Sequence, residues 1–276
     1  MSWSIRAAVL ALCLGGLGWA CEAPKAPAPA QKVSAPAPAP AQEVSARSAF
    51  EAPAPETVPD LEYIEFVTGK RQDEMPMVVM VHGLGDSPEG MKGLFTTYTA
   101  SVRIILPRGP LPYSGGHSWF DVVKPIKAGD PKMVEGMLRS AAALDKLIEK
   151  LLVKYKTKGK PVVAGFSQGG ALSFVVAVRH PEAVRAAIPV SGWLPTGLLP
   201  RPGAEVAPIR ALHGGADTLV ELDPTNEAVA SLVDRGADAS IEVFPRVGHA
   251  FTRQMQVSFF NLLRRAMSET DSSVEP

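Results

Sequence analysis

Between residues 59 and 268 the chain alternates short apolar runs with longer stretches of helical spacing. The apolar runs lie near 61–67, 77–81, 102–106, 161–165, 186–190, 208–212 and 240–244. Met77-Val78-Val79-Met80-Val81 is apolar throughout rather than alternating, the pattern of a strand buried on both faces of a parallel sheet. Helical spacing occupies 88–98, 132–156, 168–179, 224–235 and 250–267. In the longest of these, Met133, Met137, Leu144, Ile148, Leu151 and Tyr155 share one face, which reads as a core stripe rather than a ligand site. Strands alternating with helices predict an α/β fold: a mostly parallel central sheet with helices on both faces, in one domain over 59–268. A polar tail, 269–276, follows it.

The first 58 residues break that pattern. Arg6 precedes an apolar stretch from Ala7 to Ala20, shorter than the roughly 20 residues needed to span a bilayer, and 1–20 reads as a secretory signal. Leu17-Gly18-Trp19-Ala20-Cys21 resembles a bacterial lipobox, although Gly18 stands where an aliphatic residue is usual and Trp19 is bulky. The resemblance implies that Cys21 is acylated and becomes the first residue of the mature chain. Ordinary signal cleavage and an uncleaved anchor are the alternatives. The only other cysteine, Cys13, lies within the signal, so cleavage leaves a single thiol and no intrachain disulfide. Residues 21–58 are rich in Ala and Pro, a composition that favours extended polyproline II at about 3.1 Å per residue. Together these features predict export from a bacterial cytoplasm and a membrane-anchored lipoprotein facing the periplasm or cell surface.

Charge narrows the partners. The chain has 28 basic and 28 acidic residues and no long block of one sign, so nucleic acid is not an expected partner. It has no G-x-G-x-x-G or Walker-type loop and no Cys/His metal spacing, so neither cofactor nor metal is expected. Nothing in the pattern sets an oligomeric state.

The chemistry concentrates at Gly165-Phe166-Ser167-Gln168-Gly169, between a strand-like run and a helix-like run. A serine on such a junction projects its hydroxyl out of the sheet, and flanking glycines let neighbours approach closely. The five letters alone also fit a glycine-rich turn with an N-cap serine. A nucleophile on this kind of turn is followed in the chain first by an acid and then by a histidine base. Of the five histidines, His82 and His117 come too early, and His180 lies at the far end of the helix that Ser167 begins. His213 leaves no room for an intervening strand-end carboxylate. His249 follows a strand, where an open parallel sheet places its chemistry. Asp217, in the glycine-rich turn His213-Gly214-Gly215-Ala216-Asp217, is the acid placed to orient it; a plain Asx turn is the alternative. His82-Gly83-Leu84-Gly85-Asp86 follows another strand, and the backbone N–H groups of Leu84 and Gln168 are candidate oxyanion donors. In that segment His82 reads as structural and Asp86 as a turn residue.

These segments, with Pro107-Arg108-Gly109-Pro110, Ser118-Trp119-Phe120-Asp121 and Gly248-His249, resemble the phospholipase/carboxylesterase family, which includes acyl-protein thioesterases and bacterial carboxylesterases. The resemblance runs over about 76–255 and implies an α/β-hydrolase fold, a Ser167-Asp217-His249 triad and an oxyanion hole of Leu84 and Gln168 amides. It departs after Asp86, where Ser87-Pro88-Glu89-Gly90 replaces a stretch that often holds an aromatic residue. In that family the segment corresponding to 109–131 approaches the acyl side of the site. Trp119 and Phe120, with Leu111, Pro112, Tyr113, Val122 and Val123 nearby, are accordingly expected to bind substrate, or else merely to pack the sheet edge. The expected activity is hydrolysis of a small-molecule carboxylic ester, with thioesters and lysophospholipids also in range. A peptidase or polysaccharide deacetylase on the same fold, and a non-catalytic surface binding lipoprotein, are the competing readings.

Overall fold

The computed structural model describes residues 58–122 and 129–268. The expected signal, Cys21, nearly all of the Ala/Pro segment, Val123 and the tail 269–276 lie outside the described residues.

Seven strands form one sheet: β1 (Tyr63–Thr68), β2 (Met77–Val81), β3 (Val102–Pro107), β6 (Val162–Phe166), β7 (Ala186–Val190), β8 (Ile209–Gly214) and β9 (Ala239–Phe244). Their spatial order is β1-β3-β2-β6-β7-β8-β9; β1 runs antiparallel to β3 and every other pairing is parallel. Among the described residues the remaining two strands, β4 (Leu111–Tyr113) and β5 (Gly116–Ser118), form a separate hairpin that the hydrophobic pattern did not announce. Ser114 and Gly115 turn it with φ of 46° and 83°, the left-handed geometry that a two-residue hairpin loop requires.

Side-chain alternation along the strands divides the core into two layers. Met77, Val79 and Val81 face α2 (Pro131–Lys154), α3 (Gln168–Arg179) and α4 (Leu222–Asp234). Val78 and Met80 face α1 (Pro88–Lys92) and α5 (Arg253–Ser268). Covering both faces is what makes the strands uniformly apolar, and all five residues of β2 are buried. Met133, Met137, Leu144, Ile148 and Leu151 of α2 are each at most 1% exposed, so the periodic stripe is core. α3 is buried from Gln168 to Val178, which explains why its sequence is apolar all round rather than on one face. The expected helix over 88–98 is shorter: α1 ends at Lys92 and a 3₁₀ turn covers Gly93–Phe95.

The strand order reverses between β2 and β6. β2 is followed by β3 on one side, and β6 by β7, β8 and β9 on the other. The loops at the carboxyl ends of β2, β6, β8 and β9 therefore converge on one edge of the sheet, the crevice where open parallel sheets bind ligands. Pairing of Val81 with Gly165 at the last rung of the β2–β6 ladder brings the loop beginning at His82 beside Ser167.

Candidate active site

Ser167 joins β6 to α3 with φ 57° and ψ −115°, a conformation that L-residues rarely adopt. Strain of this kind is worth about 1–3 kcal/mol and persists only where the surroundings over-determine it. Here they do. The Ser167 N–H donates to Val190 O at 2.9 Å, and the Ala171 N–H donates to Ser167 O at 2.9 Å, two bonds worth about 1 kcal/mol each, before the packing of a helix buried from Gln168 to Val178 is counted. The turn is also sterically tight. A Cβ on Gly165 would overlap the backbone of Gly169, and one on Gly169 would overlap the carbonyl of Val81. Ser167 occupies the N-cap position but its side chain caps nothing, so the simple N-cap reading does not describe it.

Its hydroxyl points at His249 instead. Ser167 Oγ lies 2.9 Å from His249 Nε2, and His249 Nδ1 lies 2.8 Å from Asp217 Oδ2. A carboxylate only accepts, so Nδ1 carries the proton and donates it to Asp217, leaving Nε2 bare to accept from the serine. Asp217 is fixed in turn. Its Oδ1 accepts the N–H groups of Leu219 at 3.0 Å and Val220 at 2.9 Å, while Oδ2 is left for the imidazole. The Asx-turn acceptor and the acceptor of the imidazole N–H are thus the same residue using different oxygens. Phe166 lies against the imidazole with ring centroids 5.0 Å apart, and Phe251 stacks on Phe166 at 6.1 Å. Phe166 thus packs against the plane of His249 and is itself backed by Phe251.

Gln168 is the first residue of α3, so its N–H has no acceptor within the helix and lies at the positive end of the helix dipole. Leu84 occupies the loop after β2. Gly85 follows with φ 76°, a backbone state that glycine adopts freely. The β4–β5 hairpin clamps this loop: Gly85 N–H donates to His117 O at 2.8 Å, and His117 N–H donates to Asp86 O at 2.9 Å. Asp86 Oδ1 accepts from the Ser87 N–H at 2.7 Å, as a turn residue does. His82 is fully buried. Gly109 N–H donates to its Nε2 at 3.0 Å, so Nδ1 holds the proton and donates to Gly83 O at 2.7 Å. His180, at the other end of α3, pairs with Asp145 at 3.0 Å.

Trp119 and Phe120 are placed differently from the substrate-binding expectation. Both side chains are only 1% exposed and lie in the core, Phe120 edge-on to Trp193 at 6.0 Å and Trp119 against His82 at 5.1 Å. A ring lining an open acyl groove would retain contact with solvent, so these two pack rather than line. The reason is polar as much as apolar: the Trp119 indole N–H donates to His82 O at 3.0 Å, which pins the ring inward. The exposed apolar side chains near the site are others. Leu219, 63% exposed, follows Asp217, and Tyr113, 41% exposed, lies over Gly85.

The sequence profile of the phospholipase/carboxylesterase family matches residues 62–264. A probable carboxylesterase of Oryza sativa is 29% identical over 192 residues, covering 64% of this chain and 72% of the relative. Acyl-protein thioesterase 1 of Mycosarcoma maydis is 28% identical, covering 62% and 82%. The crystal structure of esterase PE8 superposes with a TM-score of 0.63 at 21% identity, covering 75% of this chain and 99% of that one, and shows the same fold.

The buried histidines make stability depend on pH. Burial is the main influence lowering the pKa of His82 and of His213 from the ordinary 6.5. Below about pH 6.5 the unfolded chain binds protons at these positions that the folded chain excludes, so stability present at neutral pH is lost as the pH falls through this range. Asp60 and Glu89, held down to about 2 from 3.8 and 4.5, act only at lower pH. The thermal midpoint is therefore expected to decline from pH 7.5 to 5.5. A midpoint that stays flat or rises over that range would contradict the burial of these two rings.

Proposed function

Because the chain belongs to the phospholipase/carboxylesterase family, we propose that it hydrolyses carboxylic esters or thioesters through an acyl-enzyme formed on Ser167. The observation that carries this reading is the unbroken relay of Ser167, His249 and Asp217, built on a strained backbone. In the proposed reaction Ser167 Oγ attacks the acyl carbon while its proton passes to His249 Nε2. The alcohol or thiol leaves with that proton, and Asp217 stabilises the transient imidazolium without being protonated itself. The N–H groups of Leu84 and Gln168 hold the negative oxygen of the tetrahedral intermediate. Water, deprotonated by the same histidine, then releases the acid. Strain stored at a serine whose hydroxyl already meets a base favours a catalyst over a surface binding protein.

Exposed Leu219 and Tyr113 beside the site favour a substrate with an acyl chain. An acyl-protein thioesterase among the relatives extends the reading to thioesters, with lysophospholipids in the same chemical range. We further propose that the chain is exported and lipidated at Cys21, from the leader, the cysteine and the Ala/Pro spacer occurring in succession.

A fluorophosphonate probe is expected to label the wild-type protein at Ser167, and Ser167→Ala should lose labelling and several orders of magnitude in kcat with an unchanged thermal midpoint. Retention of more than a few percent of kcat by the correctly folded variant would remove Ser167 as the nucleophile. On p-nitrophenyl esters kcat/KM should rise with chain length by about 0.8 kcal/mol for each methylene buried, then level off at short to medium chains. An optimum at C12 or above with activation at an oil–water interface would count against that substrate class. In a bacterial host, Cys21→Ala is expected to move the enzyme from the membrane fraction to the soluble exported fraction at equal specific activity. Wild-type protein that is already soluble, with its N-terminus elsewhere, would contradict lipidation.

A further inference from the structure

The two proposed oxyanion donors come from different strands, and the sheet does not fix their separation. The β2–β6 ladder ends at the Val81–Gly165 rung, and both chains leave the sheet before reaching Leu84 and Gln168. The contact of Gly169 with the Val81 and His82 carbonyls sets how close the two loops can come. A repulsive contact of that kind sets no upper limit. Something attractive must hold the loops together.

We propose that the Gln168 side chain, acting through Trp119, is a positioning residue that fixes the spacing of the Leu84 and Gln168 N–H groups. The inference rests on the hydrolase reading above and concerns side chains that the triad does not use. Gln168 is 2% exposed, yet both the nitrogen and the oxygen of its carboxamide are hydrogen-bonded. Nε2 donates to Phe120 O at 2.9 Å, and Oε1 accepts the Trp119 N–H at 3.0 Å. Ser118 Oγ lies 3.2 Å from the same Oε1, but its single hydrogen is shared with Phe120 O at 2.7 Å. A peptide N–H only donates and a peptide carbonyl only accepts, so both ends of the amide are specified. Neither a carboxylate nor an apolar side chain of similar length satisfies both.

From Trp119 the tie continues in two directions. Its carbonyl accepts from Ser140 Oγ of α2 at 2.5 Å, anchoring the segment to the core. Its indole N–H donates to His82 O at 3.0 Å, two residues before Leu84. One donor is thereby linked to the other by the sequence Gln168 carboxamide, Trp119 backbone, Trp119 indole, His82 carbonyl. Every member is buried, where an unmade hydrogen bond is expensive and the link is correspondingly stiff. This also accounts for the inward position of Trp119, whose ring serves the oxyanion loop rather than the acyl chain.

The test uses the full chain carrying Gln168→Met, Trp119→Phe or both, with active enzyme counted by fluorophosphonate titration. Each single change is expected to lower kcat on p-nitrophenyl butyrate about ten- to a hundredfold, less than or equal to the loss from deleting one donor, with KM held within about twofold. The inhibition constant of an alkyl trifluoromethyl ketone, whose serine adduct places an alkoxide in the hole, should rise by a similar factor. The double variant should lose no more than the weaker single variant, because both break one chain. A purely structural role would lower the thermal midpoint and the active fraction while leaving kcat per titrated site and the inhibition constant unchanged, and that result would overturn the proposal. Losses that multiply in the double variant would overturn it too. If Gln168→Met does not fold, Trp119→Phe decides alone, since it removes the indole N–H and keeps an aromatic ring. Wild-type protein that the probe fails to label would refute the hydrolase reading; a labelled wild type with unaffected variants refutes only the positioning role.

Discussion

Ser167 at φ 57° is the constraint to which the neighbouring features answer. The conformation is unfavourable for a serine, and its consequence is that the hydroxyl leaves the sheet edge instead of capping the helix behind it. Gly165 and Gly169 flank it because a side chain at either would collide with backbone. Val190 supplies the acceptor for the Ser167 N–H, so β7 must lie beside β6, and α3 must be buried for the turn to be held from behind. A strained residue is thus stabilised by the neighbouring strand, the following helix and the loop after β2, which are also the elements that carry the remaining site groups.

Much of this was legible in the sequence because it is periodic or because few arrangements satisfy it. Every strand-like run of the main sheet corresponds to a strand within about two residues, and the continuously apolar runs are those covered on both faces. Ser167, Asp217 and His249 could be ordered along the chain because each follows a strand. The β4–β5 hairpin was not legible. Its strands are three residues long, β4 has all three exposed and contains Pro112, and neither shows an alternation that distinguishes it from loop. Yet its backbone holds Gly85 and Asp86.

Trp119 and Phe120 show a different limit. Their composition marks them as aromatic residues near the site, but composition carries no direction. What turns Trp119 inward is one hydrogen bond from its indole to a carbonyl 37 residues away in the chain. A sequence reading weighs apolar surface, which would serve an acyl chain and a core equally well. The polar handle breaks that tie, and its partner is known only once the loops are placed. Phe166 and Phe251 illustrate the reverse case, ordinary letters that stack one on the other, with Phe166 against the imidazole of His249.

His82, His213 and His249 lie at or just beyond the carboxyl ends of β2, β8 and β9, and what separates these three is the kind of atom each nitrogen faces. His82 receives an obligate donor, the Gly109 N–H, and gives its proton to a carbonyl, so both nitrogens are spent on backbone. His213 donates from Nε2 to Val220 O at 2.9 Å, and its Nδ1 is buried with no partner among the described residues, so burial favours the neutral form at both rings. By holding the Val220 carbonyl, His213 steadies the residue whose N–H grips Asp217, and its Nε2 also lies 3.7 Å from Asp217 Oδ2. His249 alone has an obligate acceptor on one side and a hydroxyl on the other. A hydroxyl can donate or accept, so of these three rings only His249 can exchange a proton with its neighbour without leaving a backbone group unsatisfied. Chain order singles out His249 in the sequence; partner chemistry gives the physical reason why the other two rings cannot take its place.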